Sequence, residues 1–385
     1  MNSLSIGAGP EQLHAIRTAQ RMGVRVIAVD RDPDAAGMAE ADEAHVISTD
    51  QADEIAELAR ASEVRLVLPA PIGRFLTTVG RVNDRLGLRG VSEAAARNCV
   101  DKRQAHQVLR AAGVPVADQV LVTGDVPVLP FSFPVIIKPR FGAGSRGVQV
   151  CRSLDEVRLA RQAFEGDALI ETVIDGAEYG VDGAVYEGRA EVWLVRRKQV
   201  TQGVYRADMA YVAVTTLERA IRDSVLAAVG AVGLTDCLFH ADVIVDVAGV
   251  AHIIELSGRP SGMNISAKLL PLATGVDVVA AAIGCLSGQG IFPAAPPEVR
   301  PAALVYFPFA PGLVRSVGHV QAPALWDGVV EIDCPLKVGD QLQVPAGCAD
   351  FLKRGYALMQ ADSESALMER ADRVWGHVVK EVQID

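Results

Sequence analysis

The 385-residue sequence predicts an α/β fold over its first hundred or so residues and an α+β fold beyond. Three observations predict it. Strand-like and helix-like segments alternate at the N-terminus, the pattern of a doubly wound parallel sheet. At residues 133–148, FPVIIKPRFGAGSRGV, an apolar β-type run ends in lysine and leads into a glycine-rich loop. At residues 239–262, FHADVIVDVAGVAHIIELSGRPSG, two β-rich runs carry carboxylates among apolar residues.

Half of the residues are apolar, and the 35 glycines and 20 prolines suit a globular chain of two or three domains. A formal charge of −10 argues against a nucleic-acid partner but leaves room for an anionic ligand, which needs only a few local cations. The six cysteines are scattered with no CxxC pair, which fits a reducing cytoplasm and indicates neither a disulfide framework nor zinc. The longest apolar stretch, GVDVVAAAIGCLSG, carries Asp277 and is too short to span a bilayer, and no signal peptide precedes LSIGAG. A cytoplasmic protein with no membrane partner is expected.

In order along the chain, LSIGAG, a helix over about residues 11–22 and VRVIAVD form a βαβ unit, which VRLVLPA and a helix near residues 75–86 continue. Gly7-Ala8-Gly9 with Asp30 invites a dinucleotide reading, but Gln12 stands where the fingerprint wants its third glycine. A wound domain without a nucleotide site is the better reading. SEAAARNCVDKRQAHQVLRAAG reads as one or two helices, with Lys102 and Arg103 their notable cations; a solvated face is favoured for Arg103.

Lys138 then ends a strand as a fixed cation. Gly142, Gly144 and Gly147 let the following turn, with Ala143 and Ser145, bring backbone N–H groups onto an anion, phosphate being the usual one. This is not a Walker loop, because no GK[ST] follows and the lysine precedes the glycines. After a hairpin-like GVQVCR comes a helix with Ser153 and Glu156 in capping-box spacing. ALIETVIDGAEYGVDGAVYEGRAEVWLV gives three strands, with turns at Asp175-Gly176 and Glu187-Gly188.

In the acidic hairpin, a two-residue turn at Ala248-Gly249 places Asp242 directly opposite Glu255, whereas a three-residue loop would put them on opposite faces. Two facing carboxylates in apolar strands are costly without a cation, and magnesium accepts such a pair while completing its octahedron with water and phosphate oxygens. Arg259, four residues past Glu255, can hold a transferred phosphoryl group or an oxyanion. His240 shares a strand face with Asp242 and is left unassigned.

The lysine, glycine loop and acid–acid–arginine hairpin, in this order, resemble the ATP-grasp superfamily. The domain order resembles biotin carboxylase, and PG-x-V, VGD and RGYALMQADS in the last third resemble ATP-grasp L-amino acid ligases. The resemblance implies a wound domain over 1–95, an ATP-grasp domain over 96–300 with its lid at about 115–185, and a small α+β domain over 301–385. It implies that Lys102 reaches ATP phosphates, that Glu171 and Val173 make hinge contacts with adenine, and that Glu178 holds the ribose. Asp242 and Glu255 would bind Mg²⁺, with Arg259 catalytic. Many members carry asparagine where this chain has Ser257, so a second magnesium would be held by water, by Asn264 or by bridging carboxylates.

The implied function is an ATP-dependent carboxylate–amine ligase working through an acylphosphate, with a carboxylate and an amine (an amino acid among them) as substrates and a homodimer as the assembly. The alternatives are a carboxylase that phosphorylates bicarbonate, a nicotinamide dehydrogenase and a non-catalytic nucleotide binder. Residues 200–211 and 263–270 are candidates for the acceptor site. Within them Arg206 and Lys268 are read as solvated, and Met263 as either a pocket wall or core.

Overall fold

The computed structural model describes residues 1–142, 144–200, 208–214, 219–290, 298–321, 326–345 and 347–385. The chain opens with four parallel strands, β1 (Asn2–Ile6), β2 (Arg25–Asp30), β3 (Glu43–Val46) and β4 (Val64–Val67), in the order β3-β2-β1-β4. The crossover helix Leu13–Arg21 buries Ala15, Ile16 and Ala19, a helical spacing that turns one stripe to the core. Asp30 is engaged by its own sheet. Its carboxylate accepts from the Ala8 N–H at 2.8 Å and the Asp32 N–H at 3.0 Å, so it ties down the Gly7–Gly9 turn itself.

Two helices follow, Glu93–Val100 and Lys102–Ala111, capped by Ser92 and Asp101. A small antiparallel sheet comes next, from β5 (Gln119–Val122), β6 (Val135–Pro139), β7 (Gln149–Cys151) and β8 (Ala168–Thr172), ordered β5-β8-β6-β7. The hairpin after the glycine loop forms as expected, Ile137 pairing Gln149. Ser153 caps the next helix by accepting from the Glu156 N–H at 3.2 Å.

The central sheet begins with β9 (Gly176–Tyr186), β10 (Arg189–Val200), β11 (Asp208–Val214), β12 (Cys237–Asp246) and β13 (Ala251–Ser257). Glu187 and Gly188, both at positive φ, close the β9–β10 hairpin as expected. Asp175-Gly176 does not close a hairpin. There the chain leaves the small sheet for the central one, and β8 and β9 do not pair. The last third supplies β14 (Ala302–Tyr306), β15 (Gly312–Val317), β16 (Val329–Asp333), β17 (Gln341–Leu342), β18 (Tyr356–Gln360) and β19 (Val382–Ile384). Three of these extend the central sheet, whose order is β13-β12-β9-β10-β11-β14-β18-β16, while β17-β15-β19 forms a separate sheet. Among the described residues all six cysteines are free, and no single helix is long and apolar enough to cross a membrane.

Candidate active site

The acidic hairpin reaches the expected register by an unexpected route. Val245 pairs Ala251 and Val243 pairs Ile253, so three residues, 247–249, form the loop, with Gly249 at φ 79°. That loop alone would put the carboxylates on opposite faces. A β-bulge at Ile254 corrects it: the register shifts between Asp242 and Val243, and Asp242 pairs Glu255.

Both carboxylates line a cavity of about 130 Å³ between the small sheet and the central sheet. Lys102, Lys138, Arg146 and Lys198 line it too, as do Gly142, Ser145, Glu171 and Glu178. Thr172 and Ile174 line its wall on either side of Val173, and Ile136, Ile244 and Ile254 add apolar surface. The lining combines apolar surface with clustered charge of both signs.

Each of the three lysines has a structural reason to be there. Lys138, at the end of β6, is 8% exposed and pairs with Glu171 at 2.6 Å, whose other oxygen accepts from Gln119 Nε2 at 2.7 Å. Glu171 is therefore a buried partner of Lys138 and not a solvated strand residue. Lys102 opens its helix, and Asp101 just before it pairs with Arg140 at 2.6 Å, which fixes the helix against the end of β6. The Lys102 ammonium reaches Gly142 O at 2.5 Å. Burial pulls its pKa below the ordinary lysine value, against the opposing pull of Glu255. Arg103 is not simply solvated: its Nη1 donates to Gln119 Oε1 at 3.2 Å.

Lys198 was missed in the sequence. It is 7% exposed on β10 and lies 3.1 Å from Asp242. Its signal was the run Arg196-Arg197-Lys198: strand alternation sends Arg196 and Lys198 to one face and Arg197 to the other, where it pairs with Glu364. Burial alone would raise the Asp242 carboxyl, but Lys198 first and Arg196 after it hold it below the usual carboxylate range.

The glycine loop lies over the cavity with Gly142, Gly144 and Gly147 all at positive φ, as a loop that presents its amides requires. Ala143 lies outside the described residues, as does Arg206. Gly144 O accepts from Cys348 N at 3.3 Å, so the loop rests on the last third of the chain.

Arg259 stands beside this cavity rather than in its lining. Burial lowers its guanidinium pKa, while Glu255, Glu11 and Asp242 favour the charge. Its Nη1 donates to Pro260 O at 2.9 Å, while its Nε is buried with no hydrogen-bond partner among the described residues. His240 is buried next to it, held neutral by desolvation first and by Arg259 second. Ser257 sits opposite His240, and Asn264 lines a different small cavity with Glu11 and His14, away from Asp242. Lys268 is not solvated: it pairs with Glu331 at 2.6 Å and contacts the Tyr356 hydroxyl. Met263 packs against the core, and its carbonyl accepts from Tyr306 at 2.5 Å.

The residues suit magnesium on chemical grounds. Two opposed carboxylates meet its preference for oxygen, and no third acidic, histidine or cysteine ligand joins them among the described residues, which leaves positions for water and phosphate oxygens.

Comparison with known proteins agrees with this fold. Residues 131–268 match the family model of the ATP-grasp domain. A formate-dependent phosphoribosylglycinamide formyltransferase of Burkholderia vietnamiensis is 31% identical over 162 residues, 40% of this chain and 40% of that protein. The chain spans only a quarter to two fifths of the length of the first curated relatives it matches. An L-amino acid ligase from Bacillus licheniformis superposes with a TM-score of 0.83 at 18% identity, covering 100% of this chain and 98% of that one. The biotin carboxylase domain of a Hydrogenobacter thermophilus 2-oxoglutarate carboxylase, solved with MgADP and bicarbonate, superposes at 0.73 with 19% identity, covering 100% and 90%.

Proposed function

From the ATP-grasp fold that this chain adopts, we propose that the protein is an ATP-dependent carboxylate–amine ligase. The observation that carries the reading is the meeting of Asp242 and Glu255 across one hairpin, in the same cavity as Lys102, Lys138 and Lys198. ATP and Mg²⁺ are its cofactors. Lys102, Lys138 and the amides of the glycine loop hold the triphosphate, while Thr172 to Ile174 and Glu178 wall the nucleoside end. Asp242 and Glu255 would hold magnesium, which would supply neutralisation of the charge on the phosphates.

The substrate carboxylate oxygen forms a bond to the γ-phosphorus as the bond from that phosphorus to the β–γ bridging oxygen breaks, releasing ADP and leaving an acylphosphate. The amine nitrogen then bonds the acyl carbon, the C–O bond to phosphate breaks, and the nitrogen's proton leaves with phosphate or water. Arg259 holds the phosphoryl oxygens in the first step and the oxyanion in the second. No covalent enzyme nucleophile is required; position and charge carry the rate. The loop over the cavity keeps water from the acylphosphate. Both substrates are small molecules, the working compartment is the reducing cytoplasm, and the assembly is a homodimer.

The test is phosphate release from ATP and Mg²⁺ with a pool of the twenty amino acids, products read by mass spectrometry. A mass equal to two components less water establishes the ligase and names both. ADP release driven by bicarbonate alone, with no such mass, replaces this reading with a carboxylase.

A further inference from the structure

The bend that carries Arg259, residues 259–264, is held at Ser261 and at Met263, with the buried His240 ring beside Arg259. Two residues on, the Ser261 hydroxyl donates to Asp182 Oδ1 and accepts from Arg196 Nη2 at 2.9 Å, while its carbonyl accepts from Ser266 Oγ at 2.6 Å. Two further on, Met263 N donates to both Glu11 carboxylate oxygens at 3.1 Å. Met263 and Asn264 are both left-handed, at φ 57° and 59°, a conformation that costs energy in any residue but glycine and persists only where neighbours hold it.

Arg196 is the least explained of these groups. A fully buried arginine with one carboxylate partner is an expensive way to stabilise a sheet. Yet Arg196 is 2% exposed, its Nε donates to Asp182 Oδ2 at 2.7 Å, and its guanidinium occupies the space a side chain at Gly180 would fill. Its Nη2 donates to the bend, at Ser261 Oγ.

We propose that Arg196 is a positioning residue that sets the Arg259 guanidinium through Ser261. Pro260 is the only residue between Arg259 and the held hydroxyl, so displacement of Ser261 passes directly to the arginine. The inference rests on the reading of Arg259 as the group that holds the transferred phosphoryl.

The test uses the full chain with MgADP and inorganic phosphate as probes, binding being read by calorimetry. Ser261→Ala and Arg196→Lys should each leave MgADP affinity within about two-fold and weaken phosphate binding to the MgADP complex roughly ten-fold or more, as expected for a misaimed charge-assisted contact. The double variant should bind phosphate no more weakly than the worse single one, since both act through one linkage. Melting curves guard against misfolding. If Arg196→Lys unfolds early, Ser261→Ala, which strands no charge, carries the test. Unchanged phosphate affinity in Ser261→Ala, or additive losses in the double variant, overturns the proposal. A wild type that takes MgADP but no phosphate overturns the role of Arg259, and one that takes no MgADP overturns the nucleotide reading itself.

Discussion

Lys138 and Glu171 illustrate how much a single pair can decide. Both are under 10% exposed, so removing one leaves the other charged in a poorly solvated place. Lys138→Met should therefore cost about 3–5 kcal/mol in urea unfolding, and adding Glu171→Gln should restore part of it. Glu255→Ala and Arg259→Ala act on chemistry instead: each should cut ADP formation by about 100-fold or more with the melting curve little changed. Near-normal turnover in either variant would end the assignment. His106 makes a pH prediction. It is buried, its Nε2–H donates to Ala117 O at 2.7 Å, and desolvation depresses its pKa below 6.5. The unfolded chain then binds the extra proton, so this histidine's contribution is complete above that pH and is lost as pH falls from 6.5 towards the folded value. Stability curves at pH 7 and pH 5 should converge for His106→Gln relative to wild type; an unchanged gap would contradict it. At this scale the carboxylates were legible because an acid inside an apolar strand is anomalous by itself. Arg196 and Glu11 were not, because what makes them significant is a partner elsewhere in the chain, Asp182 and Ser261 for the one and Met263 for the other, which no local pattern reveals. Lys198 had only the basic run on its strand to mark it.

Among the elements, the acidic hairpin shows a correct answer reached through an incorrect turn. The loop has three residues, and only the bulge at Ile254 restores the facing pair. Bulges leave little trace in a sequence, because the extra residue is an ordinary isoleucine. The alternating N-terminal strands and helices were legible because period and punctuation agree there. The parting of β8 from β9 was not, since a glycine after an aspartate signals a change of direction and not its destination. The glycine loop gives the prediction at this scale. A Cβ on Gly347 would lie 2.6 Å from Gly144 O, with the Gly347 backbone itself extended and unstrained. Gly347→Ala should lift the loop from its seat, raise the KM for ATP several-fold, and release ADP in excess of product. Tight one-to-one coupling in that variant would show that the contact does not hold the loop.

For the molecule as a whole, the cavity is lined from both sheets, and ligand binding should be visible as global stability. A ligand that binds only the folded state, at a hundred times its Kd, stabilises by about 2.7 kcal/mol. MgATP should thus raise Tm by a few degrees, and EDTA should remove most of that rise; an equal rise in EDTA would leave Asp242 and Glu255 without a metal role. Fold class was legible at this scale, but the sharing of one sheet was not. The last third reads like a fresh start, yet β14, β18 and β16 continue the strand order that begins at the acidic hairpin. This has a consequence for biosynthesis. β18, at Tyr356–Gln360, lies between β14 and β16, so both neighbours wait with bare edges until the ribosome has passed residue 360. A product ended before that point would carry the acidic hairpin and the glycine loop but an incomplete sheet, prone to stick to its like. Synthesis of β18 is thereby made a condition for the full central sheet.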